Sequence, residues 1–400
     1  MPEAATQQSI DVLEAMSPEE RLLLLCARTD ISPPVAERIR LVCGQSVNWD
    51  SVLHLAESHG VTSLLSNTLQ VSNASQGAAF SSVPANVLHK LRYSHRSNLL
   101  KNLKLTSELT RLQGLFEEAS IQAIAFKGPV LAQIVYGSTA LRSISDIDLL
   151  VSEGEMSEAQ DVLQDAGYAL DLAVPWERHF VNTDGHYIVD LHSQVLPSHQ
   201  SCNLEPDYWW KQISTVSLNG VPVKTFNPEA QILMIFLHGT KDCWCKLSRI
   251  CDLAELLRRK PDLDWDQILG QARKYGYQRM IYLGLRLATE SLDAPLPEAI
   301  RQQVYSDSYV QKLAQEVYEE IFSKEPWIIS DSERTVSFTT SYDRLADKLR
   351  AFWGLAKYYG WSIAKFNNGE EHKLPEGSVG IEIQRSLKLL AKVFRRLVAK

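Results

Sequence analysis

Apolar residues recur with a helical period over the first hundred positions. The segment 17–20 (Ser-Pro-Glu-Glu) is typical of a helix start, with a Ser cap, Pro at the first position and acidic residues in the first turn. Further helical patterns are centred on 34–43, 50–58 and 85–93. The segment 71–82 is rich in Ser, Asn, Gly and Ala and is predicted to be a loop.

The middle of the chain changes period. A long amphipathic helix is predicted over 98–119, with Thr106 as the one polar residue on its apolar stripe. Short apolar runs at 121–126 and 146–151 are typical of strands, and a helix is predicted at 155–167. The next elements form a predicted hairpin, which comprises strand 179–182, the turn Thr183-Asp184-Gly185 and strand 186–195.

Helical patterns return from Pro228 onward, near 228–240, 245–259, 264–275, 278–291 and 309–323. The order of elements predicts an α+β fold, in which a small mixed sheet with helices is flanked by N- and C-terminal helical regions. We divide the chain into an N-terminal helical region (1–97), a core (98–227) and a C-terminal helical region (228–400).

The composition and the net charge favour a globular protein over one that binds nucleic acid nonspecifically or spans a membrane. Hydrophobic residues make up 45% of the chain and charged residues 22%, with a net charge of −7, as in ordinary globular proteins. An acidic balance disfavours nonspecific binding to nucleic acid or to an anionic membrane. No apolar run approaches the roughly 20 residues that a spanning helix needs, and the first residues lack the pattern of a signal peptide. We therefore expect a cytoplasmic protein without a transmembrane segment.

The six cysteines are scattered. Cys243, Cys245 and Cys251 lie near His238, but their spacing matches no common zinc module. We therefore favour buried free thiols over a zinc site.

The most informative segment is Asp146-Ile147-Asp148, followed by an apolar run. On a strand, residues i and i+2 point to the same face, so the two carboxylates project together. Such a pair repels unless a cation lies between them, and Mg²⁺ or Mn²⁺ prefers oxygen ligands and bridges a triphosphate readily. Asp190, on a strand after the hairpin turn, supplies a third carboxylate. Three carboxylates can hold two metals about 4 Å apart.

These residues carry a resemblance. The run from Lys127-Gly128 through Arg142 to the Asp-x-Asp pair resembles the DNA polymerase beta-like nucleotidyltransferase superfamily, and within it an uncharacterised bacterial nucleotidyltransferase family. The nucleotidyltransferase toxins of abortive-infection systems are similar over the same stretch. The resemblance covers about residues 98–255.

The resemblance implies a polymerase-beta-like core that transfers NMP from an NTP such as ATP to an acceptor and releases pyrophosphate. It also implies that Asp146 and Asp148 bind both metals, while Asp190 holds the catalytic metal and helps to activate the nucleophile.

Two glycines compete for the phosphate-binding turn. Gly137-Ser138 is similar to the superfamily's Gly-Ser pair, but it lies where helix 129–136 should end. Gly128 lies at the start of that helix, where free N–H groups would face a triphosphate, and we prefer it. Pro129 departs from the family pattern and removes one of these donors.

Several polar residues have two interpretations. Lys127 contacts a phosphate or flanks the strand end, and Arg142 pairs with the triphosphate or holds Asp146 in place. Ser145 caps the backbone or contacts phosphate, and His192 assists the chemistry or makes a structural hydrogen bond.

The following helical region offers His238 and Lys241, which share a helix face and match the same family's pattern. A lysine there could bind a β- or γ-phosphate. For Arg249 and Asp252 we favour ion pairs that lock the helix onto the sheet.

The acceptor stays open between a protein or peptide, a tRNA and a small molecule. The basic amphipathic segment 384–400 could bind an acidic partner or pack onto the protein itself. The alternative to an enzyme is a non-catalytic member of the same fold that binds nucleotide or a partner.

Overall fold

The computed structural model describes residues 16–75, 82–185, 187–197, 204–205, 207–322 and 341–354. The helix predicted after residue 17 is confirmed, because Ser17 and Glu20 form a capping box at its start. The helices before the sheet are α1 (Pro18–Cys26), α2 (Pro33–Cys43), α3 (Trp49–Ser58), α4 (Thr62–Ser75) and α5 (Ala85–Glu118).

A five-stranded mixed sheet follows, with the strand order β1-β2-β5-β4-β3. Strands β2 and β5 are parallel, and the other neighbouring pairs are antiparallel. The predicted turn at Gly185 does join two antiparallel strands, β4 and β5. The elements of this part are β1 (Ile124–Ala125), α6 (Gly128–Tyr136), β2 (Ile147–Leu150), α7 (Met156–Asp165), β3 (Tyr168–Val174), β4 (Glu177–Asn182) and β5 (Ile188–His192).

A separate two-stranded hairpin links the sheet to the second helical region. A further helix begins at residue 345. Helices thus flank a small mixed sheet on both sides in sequence, and the α+β prediction is confirmed. The elements are β6 (Ile213–Leu218), β7 (Val221–Phe226), α8 (Pro228–Lys241), α9 (Leu247–Arg259), α10 (Trp265–Tyr275), α11 (Gln278–Leu292), α12 (Glu298–Ser306) and α13 (Ser308–Ile321).

Alternation along β2 sorts its side chains between two buried clusters. Ile147 and Leu149 belong to a cluster with the inner face of α5. Leu150 belongs to a larger cluster that also contains Leu22 of α1 and Leu247 of α9. Because side chains on a strand alternate between faces, Asp148 lies on the same face as Leu150. The polar site is therefore built where the sheet meets both helical regions.

Helix α5 is one continuous helix, whereas the sequence pattern predicted two, at 85–93 and 98–119. Residues 94–97, between the two predicted helices, are helical as well. Asn98 donates to the backbone oxygen of Ala140 at 2.9 Å, and Asn102 donates to that of Arg142 at 2.8 Å, so these two side chains hold the loop that leads into β2. The buried Thr106 donates to the Asn102 backbone oxygen at 2.7 Å, within the helix.

Other boundaries also differ from the sequence prediction. Helix α4 runs to Ser75, into the segment predicted to be a loop. Strand β3 was not predicted, because most of its side chains are exposed and no alternation marks it. Hairpin β6–β7 was missed although its turn carries Asn219-Gly220, both at positive φ. Helix α12 and the helix from 345 were missed, and the segments 366–380 and 384–400 lie outside the described residues.

The two predicted boundaries between regions differ in whether they coincide with the end of a helix. The boundary at 97/98 falls inside α5, which runs through it without a break. The boundary at 227/228 coincides with the start of α8, where Asn227 caps the helix. The division into three regions remains a prediction. Among the helices of the described segments, none combines the length and the apolar character that crossing a membrane requires.

His59 connects the N-terminal helices to α9. The Leu247 N–H donates to its Nδ1 at 3.2 Å, and its backbone oxygen accepts from Ser248 N–H at 3.2 Å. The side chain is fully buried, and burial, followed by the charge of Lys246, lowers the pKa of His59 to about 4. A protonated ring could not accept the Leu247 bond, so His59 is held neutral.

We expect this histidine to weaken the fold in acid. Because its folded pKa lies below the value of about 6.5 in unfolded chains, stability is complete above pH 6.5 and falls as the unfolded state takes up the proton. The loss at pH 5 should be about 2 kcal/mol. Urea unfolding of wild type and His59→Gln at pH 7.5 and 5.0 measures it, with His54→Gln, exposed on α3, as the control. An equal decline in wild type and His59→Gln would contradict the assignment.

Candidate active site

Two neighbouring parallel strands bring Asp148 and Asp190 side by side. The two residues are paired in the register of β2 and β5. Both border an open cleft with a volume of about 440 Å³. Asp146 also borders the cleft, but it lies one residue before β2 rather than on the strand as predicted. The three aspartates singled out in the sequence thus face one space.

The carboxylates have different electrostatic environments. Burial alone would raise the pKa of Asp148, but the Lys127 ammonium 2.8 Å away and the His192 imidazole hold that pKa well below its usual value. Burial, followed by the charge of Asp148, raises the pKa of both Asp146 and Asp190. A cation bound between the carboxylates would relieve this repulsion.

Two histidines contact these carboxylates. His192 Nε2 lies 3.2 Å from Asp148 Oδ1, and His179 Nδ1 lies 2.6 Å from Asp190 Oδ1. Asp148, Asp190 and His192 each offer a ligand atom, and these atoms lie within 4.8 Å of one another. Within the described residues, the third member of this compact set is His192, whereas the sequence predicted Asp146 as the third metal ligand. The sequence pointed to His192 through its spacing from Asp190, but gave no signal for His179.

The turn between β1 and α6 lies against the aspartates. Lys127 caps α6, and its ammonium pairs with Asp148 rather than extending free into the cleft. Gly128 has a φ of +57°, and a Cβ atom there would lie 3.1 Å from the Asp146 backbone oxygen. Both observations favour glycine at this position. The start of α6 therefore approaches the backbone that carries Asp146.

Gly137 has a different place. It ends α6 in the left-handed conformation, as predicted for a helix terminator. A Cβ atom there would lie 2.8 Å from the guanidinium of Arg259, at the end of α9. Gly137 thus packs against the C-terminal helices, whereas Gly128 packs against the aspartate loop.

Arg142 and Ser145 lie on the loop before β2. Arg142 Nε is 3.1 Å from Asp252 Oδ2, and Tyr136 donates its hydroxyl to Asp252 at 2.8 Å. The ion pair of Arg142 is with Asp252 of α9, while its charge acts on Asp146 from a longer distance and opposes the rise that burial causes in the pKa of that carboxyl. The two interpretations of Arg142 therefore stay predictions. Ser145 Oγ donates to Asp146 Oδ2 at 2.8 Å and so orients that aspartate directly.

The end of α8 forms another wall of the cleft. His238 is 5% exposed, and its Nε2 atom has no hydrogen-bond partner among the described residues. Burial, followed by the charges of Lys127 and Lys241, holds the pKa of His238 well below its usual value. Arg249 makes an ion pair at 3.1 Å, but its partner is Asp242 at the end of α8 and not a residue of the sheet. The ion pair of Asp252 joins α9 to the loop before β2 through Arg142.

Lys241 is the cation of this wall without an ion pair. In the parts of the chain that the structure describes, no carboxylate lies within ion-pair distance of its ammonium group. Burial lowers the pKa of Lys241, although the charge of Asp242 opposes the shift. An anion in the cleft would find in Lys241 a charge that the protein itself has not neutralised.

The N-terminal helices complete the cleft, which the sequence did not predict. They contribute the end of α3, the loop after it and one side chain of α5. No local motif marks these residues, since only tertiary packing brings them to the cleft. The additional lining residues are Glu57, Ser58, Gly60 and Lys101, together with Glu177 of β4 and Lys246 before α9.

Cys243, Cys245 and Cys251 form no disulfide among the described residues; Cys245 and Cys251 are buried as predicted, whereas Cys243 is half-buried. In the part of the chain that the structure describes, none of the three belongs to a group of side chains close enough together to hold a metal ion, and the choice of thiols over a zinc site stays a prediction. Cys251 donates its thiol to the Ala27 backbone oxygen at 3.2 Å.

A small mixed sheet with helices on either side in sequence, and with aspartates meeting on adjacent parallel strands, defines a nucleotidyltransferase-like protein. The chain belongs to a family described as uncharacterised nucleotidyltransferase, whose model matches residues 45–293. No curated protein matches the chain.

One solved structure is similar to part of the chain. It is an antigenic nucleotidyltransferase-like protein from Paracoccidioides brasiliensis, 17% identical over 51% of this chain and 97% of its own, with a TM-score of 0.32. A TM-score this low supports no statement about the activity of this chain.

Proposed function

We propose that the chain is a metal-dependent nucleotidyltransferase of the DNA polymerase beta-like superfamily, which moves NMP from an NTP to a hydroxyl-bearing acceptor and releases pyrophosphate. The observation that supports this most directly is the pairing of Asp148 with Asp190 across β2 and β5, at the floor of an open cleft. Asp146 borders the same cleft and supplies the third carboxylate.

The donor set suits a hard divalent cation, since carboxylate oxygens are the ligands that Mg²⁺ and Mn²⁺ prefer. Asp146, Asp148 and Asp190 would hold the metal, which would supply stabilisation of charge on the triphosphate and the leaving group. Asp190 is our candidate proton acceptor for the hydroxyl, because it borders the cleft directly beside Asp148.

The triphosphate is assigned to the basic side of the cleft. Gly128, at the start of α6, lies beside the Asp146 loop and contributes a single backbone N–H, since Pro129 has none. Lys241 offers an unneutralised charge, and His238 a buried nitrogen without a protein partner among the described residues. Lys127 and Arg142 add positive potential while remaining tied to Asp148 and Asp252.

Lys241→Met should raise the KM for NTP by roughly ten- to a hundredfold, because a hydrogen bond to a charged group is worth about 1.5–3 kcal/mol. We expect a smaller change in kcat, since the aspartates stay in place. Initial rates over a range of NTP concentrations measure both parameters. Lys260→Met removes an exposed lysine at the end of α9 and serves as the control. An unchanged KM in Lys241→Met would remove this residue from the nucleotide site.

The proposal as a whole is tested by incubating the protein with each α-labelled NTP, with Mg²⁺ or Mn²⁺, in the presence of cell extract. Metal-dependent release of pyrophosphate together with a labelled product is the expected result. Nucleotide binding by calorimetry without any labelled product would instead favour a non-catalytic member of the fold. A lack of both binding and product would remove the nucleotide from the proposal.

The identity of the acceptor remains a prediction, between a protein or peptide, a tRNA and a small molecule. The use of ATP, the cytoplasmic location and an acidic partner for the segment 384–400 remain predictions as well. Fractionating the extract in the labelling assay identifies the acceptor class directly.

A further inference from the structure

His192 ends β5, two residues after Asp190, and lies on the same face of the strand. Its side chain is buried, with only 5% of the residue exposed. Nε2 lies 3.2 Å from Asp148 Oδ1. With metal bonds of about 2.1 Å meeting at right angles, neighbouring ligand atoms around one ion lie about 3 Å apart. The ring nitrogen and the carboxylate oxygen thus have the spacing of two ligands of one ion.

The other nitrogen of the ring is held from behind. Glu177 faces His192 in the register of β4 and β5, and Glu177 Oε2 lies 3.4 Å from His192 Nδ1. A metal-bound histidine commonly donates its second N–H to a carboxylate, which fixes the tautomer and the direction of the ring. Glu177 lies behind the ring at an ion-pair distance, and Nε2 on the other side of the ring faces Asp148.

His179 provides a contrast within the same sheet. Its Nδ1 bonds to Asp190 Oδ1 at 2.6 Å, and its side chain is 28% exposed. It is not part of the compact set formed by Asp148, Asp190 and His192. Beside that set, His238 presents to the same cleft a buried Nε2 without a partner in the described residues. The Nε2 atom of His238 is therefore available to bind a ligand in the cleft that the metal would share.

We propose that His192 Nε2 is a direct metal ligand together with Asp148 and Asp190, and that this site takes a first-row transition-metal ion in preference to Mg²⁺. Mg²⁺ demands oxygen ligands in near-octahedral order, whereas an imidazole nitrogen suits transition metals. Glu177 is the positioning residue that keeps the ring in its ligating orientation. The inference rests on the proposed function only for the location of the cation, and it concerns the ligands rather than the reaction.

Electron paramagnetic resonance of bound Mn²⁺ tests the inference on the full chain, first with Mn²⁺ alone and then with Mn²⁺ and a nonhydrolysable ATP analogue. We expect electron spin echo modulation from a directly coordinated ¹⁴N nucleus in wild type. The modulation should disappear in His192→Gln and persist in the matched control His179→Gln. Circular dichroism melting shows whether each variant is folded.

The positioning role has its own readout. Glu177→Gln should weaken Mn²⁺ binding by about ten- to a hundredfold, as is usual when the carboxylate behind a metal-bound histidine is lost. Competition titration should show a smaller change for Mg²⁺, which does not gain from the nitrogen. Equal losses for the two ions would contradict the role assigned to Glu177.

The other outcomes separate this inference from the proposed function. Mn²⁺ binding without ¹⁴N modulation would overturn the ligation by His192 and leave the carboxylate site standing. If the modulation vanished in His179→Gln but survived in His192→Gln, the nitrogen ligand would be His179 and the assignment to His192 would be wrong. A ¹⁴N signal in a protein that releases no pyrophosphate with any NTP would support metal ligation by His192 and contradict the proposed nucleotidyltransferase activity. An absence of Mn²⁺ binding under both conditions would overturn the metal site itself.

Discussion

Asp148→Asn should lower the rate of NMP transfer by about a thousandfold or more, because metal stabilisation of the transition state is worth several kcal/mol and each 1.4 kcal/mol is about tenfold. Asp148 is the central residue of the site. It is paired with Asp190 on the adjacent strand and contacts both Lys127 and His192. The amide keeps the shape but removes the charge that holds a cation. Initial rates of pyrophosphate release at saturating metal measure the effect.

The matched control is Asp161→Asn, which removes an exposed carboxylate from α7 outside the cleft. It should leave the rate within a factor of two of wild type. The thermal unfolding midpoint of each variant separates a lost ligand from a lost fold. If Asp148→Asn kept a tenth or more of the wild-type rate while folded, the carboxylate pair would not be the metal-binding centre.

Trp244→Ala should destabilise the fold by about 3–5 kcal/mol, as expected when a large buried aromatic side chain is removed and leaves a cavity. Trp244 lies in the turn between α8 and α9 and is fully buried. A Cβ atom built at Gly239 would lie 2.6 Å from its ring, and one at Gly284 would lie 2.7 Å from it. The ring thus fills the space between Gly239 of α8 and Gly284 of α11. An alanine side chain would leave most of that space empty.

Urea unfolding at neutral pH measures this loss. Trp353→Ala is the control, because Trp353 is 64% exposed and an exposed substitution usually changes stability by less than about 0.5 kcal/mol. Since Trp244 lies three residues after Lys241, the variant should also weaken NTP binding under conditions where it remains folded. Equal stabilities for the two variants would show that α8 and α11 close over the gap.

The sequence predicted the aspartates because local rules place them. Asp-x-Asp on a short apolar strand fixes which face the side chains share, and the Asp-Gly turn predicts the hairpin that leads to Asp190. The parallel pairing of β2 with β5 is a tertiary fact that no local pattern contains, but a third carboxylate on a strand made it a reasonable hypothesis. Gly137 as a helix terminator followed from the same kind of local rule.

The remaining parts of the site depend on packing between distant segments. Glu177 stands behind His192 only because β4 pairs with β5 in one register. Lys101 borders the cleft because α5 packs beside the loop that leads into β2, where Asn98 and Asn102 bond to backbone oxygens some forty residues away. No local pattern in the sequence could predict these contacts.

The larger buried cluster joins the sheet that carries the aspartates to helices that lie far from it in sequence. Ile124 and Phe126, which precede the Lys127 turn, share that cluster with Leu22 of α1 and Leu247 of α9. A fragment cut down to 98–227 would place these apolar side chains in water and would lose two walls of its own cleft. We therefore expect the segment 98–227 to need the helices on both sides of it in order to fold and to complete the cleft.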